Sequence, residues 1–174
     1  MKKVRVASGI VAFIALVAVI STAFMSDDPS ENYGFSVDYR GLPESFANFE
    51  LFSEVEAERV NDLMANLHGE DVELDQAFIL EYGSRGGAQA VVWISETNID
   101  GKPEELLEAK YELVTTNQLI TDFGEKTFSD QTVFHGIDNN GVDNYFFVSE
   151  NRFLLIQTYD DNREAFMRNA VRVF

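Results

Sequence analysis

Hydrophobic residues recur along this chain in three different rhythms. The first is unbroken: residues 6–24 are nineteen positions without a charged side chain, preceded by Lys2, Lys3 and Arg5 and followed by Ser26, Asp27, Asp28 and Pro29. That length suffices to span a bilayer core, which takes roughly 20 apolar residues at about 1.5 Å each. The positive-inside rule keeps the Lys/Arg end in the cytoplasm and sends the rest of the chain outward. The same stretch has the marks of a cleaved signal peptide: a basic start, an apolar middle and small residues at Ser21-Thr22-Ala23. Against cleavage, the apolar run continues through Phe24 and Met25, past that site, and is longer than a signal's usual apolar region. The pattern therefore predicts a cytoplasmic stub at residues 1–5, a transmembrane anchor or signal peptide at 6–25, a polar linker at 26–32 and an extracytoplasmic domain at 33–174.

Beyond the linker the rhythm changes to period two and to helical spacing. Residues 33–39 alternate apolar and polar, the signature of a half-buried strand with Phe35, Val37 and Tyr39 on one face, and Gly41 and Pro43 break it. Ser53-Glu54-Val55-Glu56 matches a capping box, which predicts a helix starting there, with Val60, Leu63, Met64 and Leu67 as its buried stripe and Gly69 as its stop. Residues 76–82 and 88–95 read as two strands joined by the Gly-rich loop 83–87, with Trp93 in the second. Gly101-Lys102-Pro103 opens another helix, its stripe being Leu106, Leu107, Tyr111, Leu113 and Val114. Further strands are expected around 126–135, 144–149 and 152–159, the last two separated by a tight turn at Glu150-Asn151. The continuous apolar run at 153–156 predicts a central strand covered on both faces. Asp160-Asp161-Asn162 would cap a closing helix that buries Phe166, Ala170 and Val173. Short hairpin loops between neighbours predict a largely antiparallel sheet with helices packed on its faces, an α+β fold.

Two stretches, Tyr33-Gly34-Phe35-Ser36-Val37-Asp38-Tyr39 and the closing strand at 153–159 with residues 162–174 after it, resemble the PsbP-like family of extracytoplasmic domains. That family is known from the extrinsic subunit of the oxygen-evolving photosystem and from related bacterial proteins. The first stretch is similar to the family's opening GFSxxYP strand, the second to its closing strand and helix. The chain departs at Arg40, where the family usually has proline, and lacks the tryptophan found next in that family. The resemblance implies an antiparallel sheet between helix layers and a binding or assembly role; it implies no site residue.

Composition sharpens this picture. An aromatic content of 13% is enough to drive a core and argues against disorder, and without cysteine the fold needs no disulfide and cannot carry a lipidated cysteine. Three of the 13 basic residues precede the apolar run, leaving ten against all 30 acids, so the part after it carries about −20. Such a field repels phosphate backbones and anionic headgroups, which excludes nucleic acid as a partner. The acids are scattered, as on a solvated surface; salt adaptation and attraction to cationic partners or divalent ions both account for them.

Candidate chemistry is sparse. Residues 138–144, Asp-Asn-Asn-Gly-Val-Asp-Asn, offer the hard oxygens that Ca²⁺ prefers, although the glycine spacing is not that of an EF-hand loop. Asn140-Gly141 is also a strong hairpin signal. In that register Asp138 stands opposite Asp143, a like-charge pair that a cation would relieve. A plain turn and a weak Ca²⁺ site formed by Asp138, Asn140 and Asp143 both fit. His68 and His135, the two histidines, lack zinc-motif spacing. Ser84 has a glycine-rich setting without the nucleophile elbow of a serine hydrolase, and residues 83–87 lack the lysine of a phosphate loop. Asp160 and Asp161 read as helix caps before they read as an acid/base pair. The function expected is a membrane-anchored extracytoplasmic binding or accessory domain with a protein partner in the envelope and no catalytic residues. The alternatives are an envelope hydrolase using the His68 or His135 neighbourhood, or a weak divalent-cation binder; if the first segment is cleaved, the protein is released.

Overall fold

The computed structural model describes residues 36–38, 40–55, 57–68, 72, 74–159 and 163–174. The chain first walks through five strands, β1 (Ser36–Val37), β2 (Pro43–Phe46), β3 (Phe49–Glu54), β4 (Gln76–Ser84) and β5 (Gln89–Glu96), each antiparallel to the last, with helix α1 (Ala57–His68) inserted after β3. Helix α2 (Lys102–Asn117) then carries it to the far edge of the sheet. From there β6 (Ile120–Phe128), β7 (Gln131–Asp138), β8 (Asp143–Ser149) and β9 (Arg152–Thr158) walk back until β9 pairs with β5. Helix α3 (Arg163–Val173) closes the chain. The result is one antiparallel sheet of nine strands, ordered β1-β2-β3-β4-β5-β9-β8-β7-β6, with three helices among the described residues.

The period-two alternation of the central strands sorts their side chains into two cores. Leu154 and Ile156 of β9, with Val92, Ile94, Tyr145 and Phe147, meet Phe166, Met167 and Ala170 of α3. Phe153 and Leu155, with Ile79, Trp93 and Phe146, meet Val60, Met64 and Leu67 of α1 and Leu106 and Val114 of α2. The expected central strand is thus β9, whose residues 153–156 are all buried. Helix α1 lies over β4, and α2 over β8 and β9. On the other face α3 touches both β2 and β6, near opposite edges of the sheet, so the sheet curls around it.

Several boundaries differ from the sequence reading. The hairpin β2–β3 has no counterpart there, and the single strand expected at 126–135 is the β6–β7 hairpin. Both turns are made without glycine: Ala47 takes φ 50°, and Ser129 and Asp130 take 49° and 70°. Ser53 does not start a helix; it pairs with Glu81 inside β3, where sheet pairing overrides the capping signal, and α1 begins at Ala57. Val37 lies on an exposed strand end rather than a half-buried face, and Tyr111 of the expected α2 stripe is 41% exposed. The expectations for residues 6–25, Tyr33, Phe35, Tyr39, Glu56, Gly69 and the 160–162 cap fall outside the described residues. No helix among the described residues is long and apolar enough to cross a membrane.

The edge strand β6 is irregular between Thr121 and Gly124, where Asp122 takes φ 50°. This bulge lies over Gly136: a Cβ there would run into the Ile120 side chain and sit 3.0 Å from the Thr121 carbonyl oxygen and 3.4 Å from Phe123 Cα. Gly136→Ala is therefore expected to cost about 1–3 kcal/mol of stability, measured by urea unfolding, because backbone as well as side chain must shift to admit the methyl group.

Candidate functional site

The polar loop 138–142 is built on its first residue. Asp138 donates its N–H to the Val142 carbonyl at 3.0 Å and accepts at its own carbonyl from Gly141 N–H at 3.0 Å. Its carboxylate oxygen Oδ1 accepts from the N–H groups of Asn140 at 2.8 Å and Val142 at 3.0 Å. Gly141 takes φ 80°, open to glycine at no steric cost. Two other loops repeat this plan: Asp38 with Arg40, Gly41 and Leu42, and Ser84 with Gly87 and Ala88. The Ser84 hydroxyl, weighed as a nucleophile, accepts the Ala88 N–H at 3.0 Å and serves the turn.

This loop holds one residue more than a two-residue hairpin, and the extra residue shifts the register. Asp138 stands opposite Val142, and Asp143 pairs with Ile137. The two carboxylates therefore point to opposite faces of the sheet, because neighbours on a strand alternate. Asp138, Asn140 and Asp143 are not gathered into one set of ligands. Among the described residues no group of three His, Asp and Glu side chains is gathered as a metal ion would need.

Asp143 points inward instead, toward α3, and its side chain is 4% exposed. His135 Nε2 lies 2.6 Å from Asp143 Oδ1. Arg163, the first residue of α3, brings Nη1 to 2.9 Å from Oδ1 and 2.8 Å from Oδ2. The His135 ring rests against Tyr145 at a centroid distance of 4.6 Å. On the opposite face Trp93 Nε1–H donates to Gln157 Oε1 at 3.2 Å, Gln157 Nε2 to Asn144 Oδ1 at 3.0 Å, and Asn144 Nδ2 to the Val142 carbonyl at 3.0 Å. This chain ties β5, β9 and β8 to the loop.

The other histidine lies on that face too. His68 ends α1, its Nε2 2.9 Å from the hydroxyl of Ser95, and its ring meets Phe153 edge-on. Ser95 also reaches Met64 Sδ at 3.5 Å. Burial lowers the His68 pKa to about 4, and the charges of Lys110 and Lys102 on α2 add to the shift. Desolvation likewise lowers Lys110 to about 8. A neutral histidine beside a serine hydroxyl is the geometry of a base and a nucleophile. Here, however, Ser95 is fully buried, and among the described residues no carboxylate hydrogen-bonds the His68 ring. The two histidines lie on opposite faces of the sheet and share no site.

The sequence singles out Asp143 and both histidines but neither Arg163 nor Ser95. A serine directly after the apolar run 90–94 of β5 and the repeated Asp/Ser-x-x-Gly spacing are the signals available; nothing local marks Arg163. Comparison with known proteins brings no assignment: no family model, curated protein or solved structure matches the chain.

This geometry sets an order of stabilities. Asp143→Ala strands Arg163 and His135 at the edge of the core and is expected to cost about 3 kcal/mol. Asp138→Ala removes only turn acceptors and is expected to cost about 1 kcal/mol, so denaturant titrations should rank the first well above the second. His68 supplies a pH dependence. Its folded-state pKa lies below the unfolded value of 6.5, so its contribution is complete above 6.5 and is lost as pH falls toward about 4. The loss approaches about 3 kcal/mol, and the stability difference between wild type and His68→Gln, measured across that window, should reveal it.

Proposed function

We propose that this chain is an extracytoplasmic accessory domain, held to the membrane by residues 6–25 and acting by binding a protein partner. The observation that carries the reading is the placement of the chemically capable groups. Ser95 is buried and bonded to His68 of α1, and Asp143 is buried and bonded to the buried His135 of β7 and to Arg163 of α3, so these groups tie helices to the sheet. Exposed aromatic surface, by contrast, is present at Tyr111. The likeness to PsbP-like domains, where an assembly role is expected, belongs to the same proposal, as do the outward topology set by Lys2, Lys3 and Arg5 and the exclusion of nucleic acid by a strongly acidic charge.

Crosslinking in intact membranes tests it. The expected result is a membrane-bound species of the full 19.6 kDa joined to one defined protein. A released species lacking about the first 23 residues would overturn the anchored topology. A wild-type protein that hydrolyses members of a substrate panel, with activity lost in His68→Ala, would overturn the binding role.

A further inference from the structure

Helix α2 covers β8 and β9, so on its side of the sheet the two outer strands β6 and β7 have, among the described residues, the edge of that helix for cover. What stands there is aromatic. Tyr111 meets Phe123 at 5.5 Å and Phe134 at 5.2 Å, Phe123 and Phe134 stack at 6.0 Å, and both stack on the buried Phe146 at 5.8 Å and 5.7 Å. The ladder begins in the core and ends in solvent at Tyr111, with Phe123 and Phe134 half-buried.

The rim of this ladder is acidic. Glu108 and Glu112 flank Tyr111 on α2, Asp122 sits on the bulge of β6, and Glu125 lies directly across from Phe134. All four are exposed, and none makes an ion pair with another described residue. Beside them runs the outer side of β6, an edge of the sheet, regular over residues 124–128 and interrupted by the bulge beyond. Its outward N–H and C=O groups have no neighbouring strand among the described residues.

We infer that the Tyr111–Phe123–Phe134 patch and the adjoining edge of β6 form a docking surface for an extended, arginine- or lysine-bearing segment of a partner protein. The inference rests on the accessory-domain reading and gives it a place and a chemistry. A guanidinium or ammonium group is attracted to an aromatic face and to the carboxylates around it. The rings are packed on each other as a platform rather than splayed as a cage, which suits a planar guanidinium better than an enclosed quaternary ammonium. Edge backbone groups recognise another backbone, which selects a polypeptide over a free cation. A strongly acidic protein steers cationic partners inward and repels a second copy of itself.

The probe is a fluorescent twelve-residue peptide of alternating arginine and threonine, with its glutamate–threonine counterpart as control, titrated against the full chain in neutral detergent. The arginine peptide is expected to bind, more weakly at higher salt, with amide shifts along residues 124–128. Tyr111→Ala and Glu125→Lys should each weaken it at least about tenfold. Tyr111→Phe should retain binding, as should Glu50→Lys, which reverses an exposed charge near the opposite edge. Circular dichroism confirms that each variant is folded. Equal weakening by Glu50→Lys and Glu125→Lys, indifference to Tyr111→Ala, no binding up to about 1 mM, or self-association through β6 would each overturn the inference. A membrane crosslink that survives both Tyr111→Ala and Glu125→Lys would leave the accessory reading intact and remove this surface alone.

Discussion

The pairing of β5 with β9 makes one sheet out of two. Each half is a meander whose neighbours are close in sequence, whereas the residues joined at this seam, from Ala90↔Thr158 to Glu96↔Arg152, are 56 to 68 positions apart. Loop-closure entropy opposes such a contact, and the structure offsets it along the whole length of the seam. Arg152 Nε donates to Glu96 at one end at 2.9 Å, Thr158 Oγ1 to the Gln89 carbonyl at the other at 3.0 Å, and Trp93 reaches Gln157 between them. Without the seam, α1 and α2 would have no shared floor, and the strands that hold Asp143 would be cut off from those that hold Ser95.

The remaining polar chemistry divides into an interior that is nearly neutral and a surface that is strongly acidic. Inside, Asp143 fastens the start of α3 to β8 and His68 fastens the end of α1 to β5, while nearer the surface Arg40 grips Glu54 through both nitrogens at 2.7 Å and lies over Phe78. Leaving Asp143 or Ser95 without its partner in the core would cost more than making the bond gains, so these ties fix which elements meet more than they add stability. The surplus acids are left outside, where solvent screens them. At β6 and α2 the two regimes touch, because an aromatic ladder rooted in the core surfaces among exposed carboxylates.

What is legible in the sequence is whatever local physics decides alone. The buried stripe of α1, the proline start of α2, the β4–β5 hairpin and the doubly covered run at 153–156 all declare themselves through spacing. Ser53 and the turns at Ala47 and Ser129 do not, because there a partner strand imposes the conformation against the local preference. The site is less legible still. Arg163 and Asp143 are 20 residues apart, and only the curl of the sheet around α3 brings them together. Asp143 stands out by its polar neighbours, but the face it occupies depends on a loop one residue longer than its Asn-Gly signal implies.

That loop has a wider consequence. Strand faces alternate, so the number of residues in the turn between the paired Asp138 and Val142 works like a parity digit: odd or even decides which face each later residue of β8 takes. With the loop as it is, Asp143, Tyr145 and Phe147 face α3 while Asn144 and Phe146 face the other way. If the same chain closed on a two-residue turn at Asn140-Gly141, Asp138 would stand opposite Asp143, the two sets would be exchanged and Asp143 would turn toward the side where Asp138 already lies. An interior ion pair and a surface acid are here two readings of one side chain, chosen by counting backbone units.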